Sequence, residues 1–448
     1  MLNTFKDKTG LTRNGFVTNY PSFRYWRKPM AELGKAEKPL NIYLHIPFCT
    51  QRCGYCYYKT ETLHESSKDG IERYVESLCR EIEIAAEHFH LAKRPVVTIY
   101  FGGGTPTVLT KAQLTSIMET LRANLTLTDG LEFTCEGEPV TLSQRKADII
   151  QEAGVNRISL GIQSFDDEII SIAGRRDTEA QGVKAIEIAM NTGASVNIDL
   201  ISGLAGETPE KWQHSVNRAI STGVHSVTVY KLEIFANTPY YTQIKKDEIA
   251  IASDETELDY IRYASDTFLA AGYKPINFFT FTRDGGHEQD HTTNIWHGED
   301  LYAFGTSAFG YMGGYGFQNT NEISGYCDII EAGDLPIYRG YAYNSLDRLV
   351  REVMLGMKMI RLDLKRLRKR HGFNLLRLCG PTIERLVERD LITVTDEAIT
   401  LTERGMLYGD SVGRALGAAL EELQDDEARP NPVLDVPDQT VAAAALPS

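Results

Sequence analysis

The sequence predicts an α/β protein: a partial (β/α)6 barrel followed by a C-terminal α+β extension and a winged-helix-like domain. Three observations carry this. Between residues 41 and 233, short apolar runs alternate with longer stretches of helical period, the signature of a parallel sheet with crossover helices. Six such units follow in series, which suits a partial barrel. From Leu346 the character changes to short amphipathic helices with a small β-wing between them.

Strands are expected at 42–46, 96–101, 131–135, 157–160, 195–200 and 226–232. Each is a short apolar run of strand length. Helices are expected between them at 71–88, 111–125, 144–153, 180–191 and 209–221. The predicted organisation is an irregular lead-in over 1–40, the barrel over 41–240, an extension closing the barrel over 241–345, the winged-helix-like domain over 346–423 and a disordered tail over 424–448. The tail follows from its acidic run, its prolines and its alanines. Within the lead-in, Tyr20-Pro-Ser-Phe-Arg-Tyr-Trp26 is expected to drape aromatics over the barrel mouth.

Barrels of this kind gather reactive groups at the C-terminal ends of their strands. The first strand is followed there by Cys49, Cys53 and Cys56, a C-x3-C-x2-C run in one short loop. Three thiolates so placed can ligate three irons of a [4Fe-4S] cluster and leave the fourth iron open. The competing reading is zinc, which usually draws four ligands from paired Cys or Cys/His groups, and no second pair lies nearby. Cys79, Cys135, Cys327 and Cys379 sit singly in apolar or amphipathic stretches and read as buried or incidental thiols. Seven cysteines distributed this way make no disulfide framework.

Further motifs follow the next strands. Gly102-Gly-Gly-Thr105-Pro106 is expected to bring backbone close to a ligand and expose its N–H groups, although a Gly-rich run can also be only a tight turn. Glu136-Gly-Glu-Pro139, Gly161-Ile-Gln163-Ser-Phe165 and Asn197-Ile-Asp199-Leu-Ile-Ser-Gly203-Leu204 each put polar side chains where a barrel would hold substrate. In this order, across about 41–239, these motifs and the His-Ile-Pro-Phe before Cys49 resemble the coproporphyrinogen-oxidase-like family of the radical S-adenosylmethionine (SAM) superfamily.

The resemblance implies that Cys49, Cys53 and Cys56 hold the cluster, that its open iron chelates SAM, and that Tyr43, Gly103 and Glu136 hold this cluster-bound SAM. Tyr43 and Glu136 are the catalytic candidates. Gly104, Thr105, Gln163, Arg175 and Asp199 match positions that contact a second SAM in the oxidase, with Tyr55 and Tyr57 in the loop nearby. The chemistry agrees: carboxylates accept from ribose or ammonium groups, Arg175 can pair with a carboxylate, and aromatic faces attract a sulfonium. Glu136 and Asp199 could instead cap the helices that follow them. Beyond the barrel, 230–239 and Asn294-Ile-Trp296-His-Gly298 onward also resemble family segments. Trp296 is expected either in a core or against a substrate.

Composition limits partners. A formal charge of −14 opposes any general affinity for nucleic acid, whose phosphates demand a basic surface. The basic run Lys365-Arg-Leu-Arg-Lys-Arg-His371 reads as the wet face of a helix. No signal-peptide core opens the chain and no apolar run spans a bilayer, so a cytoplasmic protein without membrane or nucleic-acid partners is expected. The family implies a small-molecule substrate and an electron donor such as flavodoxin or ferredoxin. Where the oxidase carries a fourth cysteine the chain has Tyr58, and the Cys-Asp-Phe usual in the related haem chaperone is here Cys56-Tyr57-Tyr58. The first expectation is therefore a two-SAM enzyme that methylates or cyclopropanates a specialised metabolite. Oxidative decarboxylation of coproporphyrinogen III is the alternative. A haem carrier is a further one, with His45, His287, His291 and His297 as candidate ligands.

Overall fold

Six strands, β1 (Leu40–Ile46), β2 (Pro95–Gly103), β3 (Thr126–Gly137), β4 (Arg157–Gln163), β5 (Ser195–Ser202) and β6 (Ser226–Lys231), pair in parallel in chain order. They form the barrel wall in a computed structural model that describes residues 5–6, 12–13, 16, 19–27, 38–283 and 287–423. The expected tail and most of the lead-in lie outside the described residues. Helices α1 (Lys68–His88), α2 (Lys111–Asn124), α3 (Gln144–Glu152), α4 (Asp167–Ile172), α5 (Glu179–Met190) and α6 (Pro209–Ser221) connect the strands. The expected units are all present. Helix α4 is additional, because six residues are too few for a helical period to stand out.

Local chemistry starts each helix. Ser67, Thr110, Ser143, Thr178 and Thr208 accept N–H bonds at the starts of α1, α2, α3, α5 and α6, and two of these caps are capping boxes with Gln113 and Gln181. Helix α1 then buries Tyr74, Val75, Leu78, Ile82 and Ala85, an i, i+3, i+4 stripe that meets the sheet. The sheet continues past the barrel at both edges. Thr280–Arg283 runs antiparallel to β6, and Tyr273–Asn277 pairs beyond it. Asp300–Phe304 lies parallel to β1, and three antiparallel strands follow, giving twelve in all among the described residues.

The two faces of the barrel strands differ. Alternate residues such as Ile42, Leu44, Ile99, Phe101, Phe133, Ile158, Val196, Ile198 and Val227 join the apolar core under the helices. The other face carries Asn41, Tyr43 and His45 on β1, Thr98 and Tyr100 on β2, and Glu132, Thr134 and Glu136 on β3. Strands β4 to β6 add Arg157, Ser159, Asn197, Asp199, Ser226 and Thr228. Neighbours on this face meet by register: Tyr43 pairs with Tyr100, Glu136 with Ser159, and Asn197 with both Ser159 and Ser226. Instead of the branched aliphatic layers that usually fill such barrels, the interior is lined by polar side chains.

The C-terminal segment packs Leu349, Val350, Val353, Leu367, Ile399 and Leu416 into a second core. A three-stranded sheet of Arg361–Asp363, Ala398–Leu401 and Ile392–Val394 supplies the wing. Tyr20 and Trp26 do not drape over the barrel mouth. They bury in this second core with Tyr311, Tyr341 and Tyr343, and the Tyr20 hydroxyl reaches Asp347. Nor is the basic run only a wet face. Arg366 and His371 pair with buried Glu352 at 2.9 and 2.8 Å, and Arg370 bonds Glu299 and the carbonyls of His297 and Gly298. The alternation with leucine marks a helix correctly, but the partners lie far away in sequence.

At Gly405 the helix Glu403–Met406 lies on the backbone of Leu391, and a Cβ there would stand 1.8 Å from the Leu391 carbonyl oxygen. That oxygen also accepts from Thr402 N at 3.1 Å. Gly405→Ala must separate the two segments, so a loss of roughly 3 kcal/mol is expected. Chemical denaturation followed by circular dichroism measures it.

Candidate active site

The three thiols lie in the loop after β1, and all are free. Cys49 and Cys53 are buried and Cys56 is partly buried. The loop is fixed from several sides: Gly54 N bonds Ala173 O at 2.8 Å, Tyr240 N bonds Gly54 O at 2.9 Å, and Leu63 N bonds Cys49 O at 2.9 Å. Burial pushes the Cys49 thiol up to about 12 and Cys56 to about 11, and raises Cys53 against the lowering influence of Arg175. Iron binds the thiolate, so loading a cluster here must displace protons that burial otherwise holds on these thiols. The chemistry of the donor set, three thiols on one pinned loop, suits a cluster with one open iron, each thiolate serving a different iron; among the described residues no three donors converge on a single metal ion.

The Gly-rich turn after β2 serves this loop rather than presenting free N–H groups. Gly103 N donates to Glu136 Oε2 at 3.1 Å, Gly104 N to Ile46 O at 2.8 Å and Thr105 N to Phe48 O at 2.8 Å. Glycine is required because the two chains touch. A Cβ on Gly104 would lie 2.7 Å from Phe48 O, 2.8 Å from Ile46 O and 3.0 Å from Cys49 Sγ. Gly103 adopts φ +107° with the His45 ring 2.5 Å from its missing Cβ.

Glu136, at the end of β3, is held at both oxygens, by Gly103 N and by the Tyr100 hydroxyl at 2.6 Å. Tyr100 stacks between Tyr43 and His291, with ring centroids 6.0 and 5.0 Å away. Tyr43 in turn bonds His45 Nδ1 at 3.0 Å. On β5, Asp199 accepts from Asn197 Nδ2 at 2.9 Å and Ser159 Oγ at 3.4 Å. Burial, and secondly the charge of Glu136, push Asp199 up to about 7. Neither carboxylate caps a helix, since Ser143 and Thr208 fill those positions. Gln163 sits at φ +69° with Oε1 buried and unpartnered, the kind of strained polar residue found at ligand sites.

Arg175 already has a carboxylate from its own chain. Its guanidinium pairs with Asp177 at 3.0 Å, bonds Gly161 O at 2.8 Å and turns Nη1 toward Tyr55 Oη at 3.5 Å and Cys53 Sγ at 3.9 Å. Tyr55 therefore faces Arg175 and packs on Tyr240, whereas Tyr57 packs on Phe235 and Tyr58. Among the candidate histidines, His45 and His291 adjoin the Tyr43–Tyr100 stack. His287 is at the opposite ends of the strands, beside Ser195, and the His297 carbonyl binds the C-terminal arginines. Trp296 lies edge-on to Phe279 near Lys358, in packing rather than at the thiol loop. Tyr100, Asn197, Ser159 and Asp177 complete the site. A period of two in polar residues along the strands was the signal for the first three; nothing in the sequence marks Asp177.

Known proteins match this arrangement in both halves. The radical SAM superfamily matches residues 43–219, and the HemN C-terminal domain matches residues 343–408. The chain is 30% identical over 386 residues to the haem chaperone HemW of Bacillus subtilis, covering 86% of this chain and 100% of that one. It belongs to the HemN/HemW family of radical SAM proteins. An oxygen-independent coproporphyrinogen III oxidase from Pseudomonas aeruginosa is 29% identical over 399 residues, covering 84% of this chain and 85% of the oxidase. The anaerobilin synthase of Escherichia coli O157:H7 is 28% identical over 402 residues, with 89% and 88% covered. The solved structure of E. coli coproporphyrinogen III oxidase (HemN) superposes with a TM-score of 0.77 at 24% identity, over 90% of this chain and 96% of that one. Membership of the HemN/HemW family brings a [4Fe-4S] cluster and SAM, and makes the chain a radical SAM enzyme of HemN type. Methylation and cyclopropanation gain no support from these relatives, and the haem-pathway alternative fits them better. Among the described residues no helix is long and apolar enough to cross a membrane.

Proposed function

We propose that this chain cleaves SAM reductively and directs the resulting radical at a tetrapyrrole, with oxidative decarboxylation of coproporphyrinogen III as the reaction. The observation that carries the proposal is the wall beside the thiol loop. Partly buried Glu136 and Asp199 stand there next to the stacked rings of Tyr43 and Tyr100. The partly exposed faces of Tyr57, Tyr58 and Tyr230 widen this wall for a macrocycle. Cys49, Cys53 and Cys56 would hold the cluster, which when bound supplies the electron that splits SAM into methionine and a 5′-deoxyadenosyl radical. Glu136 would orient SAM through its carboxylate, with Tyr100 and Gly103 fixing its angle. Gln163, Asp199 and Tyr55 would line the space for a second SAM, and Arg175, held by Asp177, would keep positive charge beside the loop. A flavodoxin or ferredoxin would deliver the electron.

A haem-carrying role is the second reading, favoured by the match to HemW over all of that protein's length, while Cys56-Tyr57-Tyr58 departs from both patterns and favours neither. Anaerobically reconstituted protein with reductant, SAM and coproporphyrinogen III, followed by mass spectrometry, tests the two. Loss of CO2 from the porphyrin together with 5′-deoxyadenosine supports the oxidase. An intact porphyrin with stoichiometric haem binding favours the carrier and sinks the oxidase.

Asp199 gives a pH signature. Its carboxyl is neutral well below about 7 and ionised above, and only the ionised form attracts a sulfonium or ammonium cation. SAM affinity is therefore expected to rise by about tenfold between about pH 6 and about pH 8. Equilibrium dialysis of SAM should show this rise in the wild type and a flat profile in Asp199→Asn.

A further inference from the structure

The barrel strands begin at a second polar feature, a cleft of about 220 Å³ at the end opposite the thiol loop. It is lined by Leu131, Glu132, Asn156, Arg157, Ser195 and His287, among others. Arg157 opens β4 and is only 2% exposed, yet every acceptor it reaches is neutral. Nη1 bonds Ser195 Oγ at 3.2 Å and His287 O at 3.4 Å, and Nη2 bonds Ser226 Oγ at 3.3 Å. Its Nε is buried with no acceptor among the described residues. The other buried arginines of the barrel region are handled differently: Arg94 pairs with Asp300 at 2.7 Å and Arg175 with Asp177 at 3.0 Å. A buried guanidinium whose bonded acceptors are all neutral is costly, so an anion reaching Nε would be stabilising.

Acidic neighbours, Glu132 first and Asp199 and Asp290 after it, favour the charge of Arg157 without hydrogen-bonding to it. The His225 and His287 rings stack at 4.0 Å, His287 Nδ1 meets Ser195 Oγ at 3.0 Å, and burial, then His287, Arg157 and Arg283, hold His225 below its ordinary range. The carboxylates at the cleft are Glu132, Glu288 and, beside them, Asp290. Glu132 makes no ion pair with Arg157. Its two oxygens accept from Asp290 N and His291 N at 2.9 Å each.

We propose that this cleft is an oxyanion site in which Arg157 is the principal cation and Ser195 and His287 complete the shell. The occupant is a phosphate or a carboxylate. Charge-assisted bonds to a guanidinium suit both, and the cleft is smaller than the roughly 300–1,000 Å³ pockets that hold drug-sized ligands. It is therefore too small for a second SAM or a porphyrin, and its occupancy is independent of the reaction at the other end of the barrel.

The test uses the full-length protein and titrates sodium phosphate, and separately sodium succinate, against sodium chloride at matched ionic strength. The readouts are the thermal unfolding midpoint and the 31P line width of the phosphate. A saturable rise in midpoint beyond chloride is expected with one of the two anions, and which of them saturates identifies the class. Ser195→Ala and His287→Ala lie at the cleft rim and should each weaken that affinity by about tenfold. Effects of phosphate and succinate no larger than chloride overturn the proposal. So does saturation that neither variant changes.

Discussion

Replacing Cys49, Cys53 or Cys56 by alanine is expected to abolish the cluster's visible absorbance and reduce 5′-deoxyadenosine formation to the uncatalysed background. The three positions should behave alike, although they sit differently in the loop. Cys49 is pinned in a two-residue strand against Glu61–Thr62, Cys53 lies beside Arg175, and Cys56 is the most accessible. A thiolate supplies one iron with its only protein ligand, and no histidine or carboxylate in the loop can replace it. The nearby carboxylates are committed elsewhere, Glu138 to Thr50 at 3.0 Å and Glu136 to Tyr100 and Gly103. Iron and sulfide analysis after anaerobic reconstitution, with near-UV circular dichroism to show that the fold persists, decides the matter. A variant that retains full cluster and SAM cleavage would remove that cysteine from the ligand set.

The cysteine loop was legible in the sequence because its chemistry is local. Three residues within eight positions share one loop whatever the rest of the chain does. The barrel strands were legible for a related reason, since their helix-facing residues alone, Ile42, Leu44, Ile99 and Phe101 among them, form apolar runs. The interior face was harder to see. Thr98 and Tyr100 sit inside such a run and look incidental until register sets Tyr100 against Tyr43 and next to Glu136. Reading each strand at period two, rather than as one apolar block, would have shown an interior lined with side chains able to bond a polar ligand. Asp177 could not be read this way. Its meaning comes from Arg175 two residues earlier and from Gln51 at 3.4 Å, 126 positions away. Likewise the basic helix at 364–371 is identified by its own pattern, but its partners Glu352 and Glu299 come from separate elements.

Gly104→Ala is expected to damage the cluster site without touching any ligand. The sequence alone suggests that the Gly-rich run is a cradle of free N–H groups for SAM. In the folded chain it is instead the floor on which the thiol loop rests. A methyl group on Gly104 meets two backbone carbonyl oxygens at 2.7 and 2.8 Å, and both accept bonds from this same turn. Unlike a long side chain, a carbonyl cannot swing away, so Ile46 to Cys49 must shift as a unit and the Cys49 thiol with them. Misplacement of about 1 Å in a reacting constellation costs on the order of 10²-fold in rate. Iron content after reconstitution and the rate of 5′-deoxyadenosine formation should both fall in Gly104→Ala. Thr105→Ser, which keeps the backbone bonds and the hydroxyl, should retain its iron. If Gly104→Ala kept wild-type iron but lost affinity for SAM alone, the turn would be a ligand cradle after all. The thiol loop would then owe its position to Gly54, Ala173 and Tyr240 instead.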